Sequence, residues 1–215
     1  MSEIKAGTKG FKNLSLELYS EATIPTLFGE FLISVYRDQN LDEGAILISK
    51  GLHVGSVPFV RIHSECFTGE VLGSLKCDCR DQLSLALVEI ERLGEGAVIY
   101  LRQEGRGIGL GNKIKAYHLQ NLGANTIEAN HQLGFETDLR SFEAAGIILK
   151  QRGIRSIRIN TNNPDKIKDL ESQGIKISER VPSLTEMNIH NEDYLKTKML
   201  MLGHHLDSLF IPVKK

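Results

Sequence analysis

The feature that most constrains this chain is the regular alternation of short apolar runs with helically periodic stretches through its second half. Leu83, Ala86, Leu87 and Ile90 recur at helical spacing, which predicts a helix from about Arg80 to Leu93 ended by Gly94. Ala97–Leu101 follows as a buried strand, then a loop over Glu104–Gly111 and a helix from about Asn112 to Leu122. The alternation continues with a helix near Asp138–Arg152, a strand at Ser156–Asn160, a helix at Pro164–Gln173, a strand at Ile175–Arg180 and a last helix over about Glu192–Leu206. Strands alternating with helices predict an α/β fold, a layered α/β/α domain. Upstream, Phe28–Tyr36, Ala45–Ile48 and Pro58–Ile62 are short, β-rich and separated by turn residues, so a mixed sheet is expected. Residues 1–24 are polar and read as a loosely attached N-terminal arm, with residues 25–215 forming the domain proper.

Charge bears on partners. With 26 Lys and Arg against 27 Asp and Glu, the formal net charge is −1, which gives no case for a nucleic-acid or membrane partner. An anionic ligand must therefore be met by a local basic cluster. No apolar run approaches the roughly 20 residues of a membrane span. The N-terminal stretch is charged and lacks an apolar signal core, so a cytoplasmic location is expected. Thiols stay reduced there, and clustered cysteines then point to metal binding or catalysis rather than to disulfides.

The chain has 3 cysteines, and all of them (Cys66, Cys77 and Cys79) fall in one short window. Three thiolates suit Zn²⁺, a borderline-soft ion that is usually tetrahedral. Catalytic zinc sites use three protein ligands and leave the fourth position to water; structural sites use four, and His63 is the residue that would close this one. A third reading is three small buried hydrophobes. A catalytic zinc would bring the pKa of its water toward ~7. Glu65, one residue before Cys66, is placed to orient that water or a substrate N–H.

Glu104-Gly-Arg-Gly-Ile-Gly-Leu-Gly-Asn-Lys113 lies between a buried strand and a helix, where backbone N–H groups and the positive helix end favour anions. It fits neither the Walker A pattern nor the dinucleotide fingerprint, because the glycine spacing is wrong for both. Arg106 supports a phosphate role, since a guanidinium reads phosphate oxygens in bidentate fashion; Arg102 and Lys113 add local positive charge.

These motifs occur together with others. Arg61-Ile-His-Ser-Glu-Cys66-Phe-Thr-Gly69, Lys76-Cys-Asp-Cys79, Arg102-Gln-Glu-Gly-Arg-Gly-Ile-Gly-Leu110, Asn112-Lys-Ile-Lys-Ala-Tyr117, Glu128-Ala-Asn-His-Gln-Leu-Gly-Phe135 and Thr161-Asn-Asn-Pro164 agree in order and spacing with GTP cyclohydrolase II, which the chain resembles over about residues 22–206. The resemblance implies the monofunctional form, because the second domain of bifunctional relatives has no room in 215 residues. It implies a Zn²⁺ ion on Cys66, Cys77 and Cys79, and Mg²⁺ with the triphosphate. Contacts to GTP are implied for Arg61, Ile62, His63, Ser64, Glu65, Gln82, Glu104, Gly105, Arg106, Thr126, Thr161 and Lys166. Tyr117 is implied beside the reacting base, Asp138 as proton acceptor, Arg140 as nucleophile, and the assembly as a homodimer. Asn160 stands where the family usually has an apolar residue.

The implied reaction opens the imidazole ring of guanine and releases formate and pyrophosphate, the first step of riboflavin biosynthesis. Arg140 is a difficult nucleophile, since free arginine has a pKa above ~12. Residues two apart on a helix do not face each other, so either Asp138 caps the helix or Arg140 is an electrostatic clamp. Two other readings differ in class. A zinc nucleobase deaminase shares His63-Ser-Glu65 but requires a P-C-x-x-C segment that is missing. A non-catalytic guanine-nucleotide-binding relative would bind GTP without turning it over.

Overall fold

In the computed structural model, residues 14–206 are described, apart from 125 and 137 and the side chains of 126, 127 and 193. Seven strands, β1 (Leu16–Thr26), β2 (Gly29–Asp38), β3 (Ala45–Lys50), β4 (Phe59–Ser64), β5 (Gly96–Leu101), β6 (Ser156–Asn160) and β7 (Lys176–Val181), form one sheet. Its order is β1-β2-β3-β5-β4-β6-β7. The β1, β2, β3 and β5 neighbours pair antiparallel, whereas β5, β4, β6 and β7 pair parallel, so the sheet is mixed as expected. The helices are α1 (Phe67–Glu70), α2 (Cys79–Leu93), α3 (Gly109–Asn121), α4 (Thr126–Gln132), α5 (Glu143–Gln151), α6 (Pro164–Ser172) and α7 (Glu192–Leu202), with a 3₁₀ turn at Glu104–Gly107.

Side-chain alternation along the strands divides the interior into two layers. In β5, Ala97 and Ile99 point to one side with Leu47, Val60 and Ile62, where Ala145, Ile148 and Leu149 of α5 and Leu170 of α6 cover them. Val98 points the other way, with Phe31 and Phe59, under Ala86, Leu87 and Ile90 of α2. This is the expected α/β/α layering. Each fully buried aliphatic side chain contributes roughly 1.5–3 kcal/mol. The two apolar layers, rather than single polar contacts of about 1 kcal/mol, therefore hold the helices on the sheet.

Residues 16–24, expected in a loosely attached arm, belong instead to β1, which pairs with β2 from Leu16↔Asp38 to Thr26↔Gly29. Only Leu16 of this strand is buried. Backbone hydrogen bonds therefore hold it, and the sequence carries no alternating apolar signature. Residues 1–13 lie outside the described residues.

The helix expected near Asp138–Arg152 is confined to α5, and the stretch 138–142 is irregular. There the Asp138 carboxylate accepts from the Arg140 backbone N–H (3.0 Å), and Leu139 N–H donates to the Arg106 carbonyl (3.0 Å). These bonds compete with the helical ladder. The last helix stops at Leu202 because Gly203 turns left-handed (φ 63°).

Candidate active site

The parallel strands β4, β5 and β6 end on one edge of the sheet, and their C-terminal ends lead into Cys66, the 3₁₀ turn and Thr161. Ligands of such sheets bind outside the carboxyl ends of the strands. A cavity of about 690 Å³ opens there.

One wall holds the cysteines. Their three Sγ atoms lie within 4.8 Å of one another, with Cys66 and Cys77 3.6 Å apart. Among the described residues, no other group of His, Cys and acidic side chains is so placed. The Cys77 and Cys79 thiols and the Lys113 ammonium (3.1 Å) donate to Cys66 and lower its pKa. Cys77 is pushed up to about 11 by its bond to Cys66, and Cys79 is raised by its bonds to both. A divalent ion is what would let all three face one point as thiolates, and the soft donor set fits Zn²⁺. Gly69 leaves room for this convergence: a Cβ there would lie 2.8 Å from the Cys77 sulfur and 3.2 Å from that of Cys66.

His63 does not join the cysteines. Arg61 Nε donates to His63 Nδ1 (3.1 Å), so the proton sits on Nε2, which meets Glu70 Oε1 at 2.9 Å. Burial lowers the His63 pKa to about 4 and keeps the ring neutral. Structural zinc closed by His63 is therefore not what this arrangement offers. Glu70 was not singled out in the sequence, yet it organises this wall. It accepts from the Cys66 backbone N–H (2.8 Å) and from the Tyr100 hydroxyl (2.6 Å), and thereby orients the first cysteine. Its signal was hidden because a carboxylate four residues after a ligand reads as ordinary helix surface.

Arg61 is buried, and burial lowers its pKa to about 10. Its NH1 donates to Asn160 Oδ1 (3.0 Å) and Ser183 Oγ (2.9 Å), and its NH2 to Gln82 Oε1 (2.5 Å). Asn160, the departure from the family pattern, thus serves as a partner for this guanidinium. Gln82 also donates to Asp78 Oδ2 (2.6 Å). Glu104 accepts from Phe67 N–H (2.6 Å), Gly105 N–H (2.7 Å) and Lys113 Nζ (2.8 Å). Gln82 and Glu104, both implied to contact GTP, thus already have partners within the chain. Ser64 accepts from Gln103 (3.0 Å), and the Glu65 carboxyl is raised by burial against the opposing pull of Arg102. Tyr117, on α3, lines the cavity with the Lys76 and Lys113 ammonium groups 5.3 and 5.7 Å from its ring. Burial pushes its hydroxyl up to about 12.

Another part of the lining is cationic. Arg106 sits in the left-handed region (φ 62°) between Gly105 (φ 62°) and Gly107 (φ 89°), and its NH1 is buried without a partner. A non-glycine residue there costs roughly 1–3 kcal/mol, strain of the kind found at ligand sites. Arg140 also faces the cavity, gripped by Asp138 through Nε (2.9 Å) and NH2 (2.5 Å). Lys166 is buried and donates to the Ile62 carbonyl (2.8 Å). Burial, then the neighbouring Arg140, Arg61 and Lys198, push its pKa well down. Thr161 lines the cavity and accepts from Asn163 N–H (3.1 Å). Lys198, Tyr194 and His204 complete this wall from α7 and just beyond it, and none of them stood out in the sequence.

Two expected residues are placed elsewhere, and a third is not described. The Ile62 side chain is in the core, Asp138 lines a neighbouring cavity with His131 and Asp165, and the Thr126 side chain lies outside the described residues.

Fold and site together define an α/β enzyme whose pocket sets a metal-capable cysteine trio against a cluster of cations. The family model for GTP cyclohydrolase II matches residues 17–182. A GTP cyclohydrolase-2 of Campylobacter fetus subsp. fetus is 51% identical over 86% of this chain and 94% of that one. The riboflavin biosynthesis protein RibBA of a Synechocystis strain is 52% identical over 85% of this chain and 33% of its own. RibBX, a two-domain 3,4-dihydroxy-2-butanone 4-phosphate synthase from A. baumannii, superposes with a TM-score of 0.41 at 19% identity over 70% of this chain and 35% of that one. The chain belongs to the GTP cyclohydrolase II family.

Proposed function

We propose that this chain hydrolyses GTP to formate, pyrophosphate and 2,5-diamino-6-(5-phosphoribosylamino)pyrimidin-4-one, the entry reaction of riboflavin synthesis, as a cytoplasmic homodimer. The observation that carries the reading is a single cavity lined both by the cysteine thiols and by Arg106, Arg140, Lys166 and Lys198. The reaction needs both, because water must cleave the C–N bonds at C8 of guanine and the α,β-phosphoanhydride of the same molecule.

Zn²⁺ held by Cys66, Cys77 and Cys79 would lower the pKa of its water and polarise the ring. Mg²⁺ enters with the triphosphate as part of the substrate. The remaining work falls to side chains. Arg106 has an unsatisfied buried N–H to offer a phosphate oxygen. Lys166 donates to a single backbone carbonyl among other cations, so an anion beside it would favour its charged form. Tyr117 keeps its proton at neutral pH and can donate it in a hydrogen bond to the opening ring. Gln82 and Glu104 line the cavity and would offer acceptor oxygens to the guanine N–H groups beside the bonds they already make within the chain.

For Arg140 the balance favours a clamp over a nucleophile. Burial opposes charge on both Asp138 and Arg140, yet their mutual pairing outweighs it, lowering the pKa of Asp138 and raising that of Arg140. The two shifts move apart, so the proton stays on the guanidinium, where it neutralises charge on the leaving pyrophosphate.

The test is release of formate and pyrophosphate from GTP with Mg²⁺, before and after zinc is stripped and restored. Both products, with formate lost on stripping and regained with zinc, are expected. Nucleotide binding with neither product would overturn the enzymatic reading.

A further inference from the structure

The cationic wall extends past the end of the family match at residue 182, into the C-terminal helix and the residues that follow it. Gly203 (φ 63°) ends α7 with a left-handed turn that brings His204 into the cavity lining. The turn is pinned by His204 N–H to the Lys198 carbonyl (3.1 Å), His205 N–H to the Asn162 carbonyl (2.9 Å) and the buried side chain of Leu206. His204 is therefore held where the main cavity meets its neighbour and lines both.

Its surroundings are unusual for a histidine. Lys198 faces it from α7, Lys166 from α6, Arg140 from the 138–142 segment and Arg106 from the 3₁₀ turn. Carboxylates are present, but two are committed to these cations: Asp138 to Arg140 at 2.5 Å and Asp78 to Lys198 at 2.8 Å. Glu136, Asp165 and His131 face it from the neighbouring cavity, and Tyr194 lies on α7. Burial and four cations thus keep the imidazole uncharged in the free protein, holding its pKa down at about 3.

A polyphosphate entering this wall reverses the sign of the field. We propose that His204 is a phosphate-binding residue that takes up a proton when the ligand's phosphates enter the cavity, and donates it in a charge-assisted hydrogen bond to a phosphate oxygen. No bond is broken. The proton comes from solvent, and the imidazolium adds a further cation to the wall only when an anion is there to balance it. The free enzyme thereby avoids one more uncompensated charge, while the complex gains a contact that a fixed cation would supply only at a cost to stability. The inference rests on the reading of this cavity as a nucleotide site.

The experiment is ¹⁵N-histidine NMR of the zinc-bound protein between pH 5 and 8, with the His204 resonances identified by their loss in His204→Gln and, independently, in His204→Asn. The probes are a slowly hydrolysed GTP analogue with Mg²⁺ and inorganic pyrophosphate alone. In the free protein the ring stays neutral down to pH 5; at saturation with either probe it is protonated at pH 6. Correspondingly, His204→Gln weakens analogue binding about tenfold at pH 6 and less than twofold at pH 8. A ring that stays neutral in the saturated complex overturns the proposal, as does one already protonated at pH 6 without ligand. If pyrophosphate protonates His204 but the analogue does not bind, the nucleotide reading fails while the proton-coupled anion contact stands.

Discussion

Cys66, Cys77 and Cys79 illustrate how residue type alone can carry a conclusion: their thiols converge, as so tight a cluster of scarce residues suggested. The supporting residues were hidden. Glu70, Lys198 and His204 belong to common types on helical or terminal segments, and nothing in their spacing marks them. Two predictions belong at this scale. Tyr117→Phe removes a donor but keeps the ring, so it should lower turnover on the order of tenfold with zinc content unchanged. Zinc assay beside formate release checks it, and unchanged turnover would make Tyr117 a packing residue. Arg140→Lys keeps the charge but loses the fork that grips Asp138 through two nitrogens. It should lower kcat about 10- to 100-fold and leave the melting temperature nearly unchanged. A fall to the uncatalysed rate would instead favour a nucleophilic arginine.

At the scale of elements, the short α1 carries more weight than its four residues suggest. Gly69 sits where a Cβ would press on two of the sulfurs, so Gly69→Ala should leave the fold intact and bring zinc well below one ion per chain. Full occupancy would show that α1 can shift to accommodate the methyl group. The 3₁₀ turn is coupled to the 138–142 segment in the same way. Gly107 (φ 89°) would place a Cβ about 3.1 Å from Leu139, so Gly107→Ala combines a strained backbone with a clash. It should cost about 1–2 kcal/mol in stability and raise KM for GTP, as denaturant unfolding and steady-state kinetics would show. The sequence marked this loop as an anion site. Its tie to the segment that carries Arg140 came only from the fold, because the Leu139 to Arg106 hydrogen bond joins segments more than thirty residues apart.

For the whole molecule, the buried neutral histidines set a pH dependence. His63 and His204 have folded-state pKa values lowered to about 4 and about 3, against roughly 6.5 in the unfolded chain. Above pH 6.5 they are neutral in both states and change nothing. Below it the unfolded chain binds protons that the folded chain refuses, so stability is lost as pH falls from about 6.5 toward 4. Each should cost on the order of 2 kcal/mol by pH 5. Denaturant melts at pH 7 and pH 5 should show His204→Gln losing correspondingly less than the native sequence; equal losses would mean that His204 is already protonated when free. The sequence by itself determined the layered α/β class, the parallel half of the sheet, the cysteine trio and the place of the glycine loop between strand and helix. Each of these is encoded locally, in the period of apolar residues or in clustered residue types. Tertiary structure alone decided the pairing of β1, whose exposed side chains leave no periodic trace, and the irregular path at 138–142, where local side-chain bonds replace a helix. It also decided the cationic part of the cavity lining, because Arg106, Arg140, Lys166 and Lys198 gather around a neutral His204 only once segments distant in sequence are folded against one another.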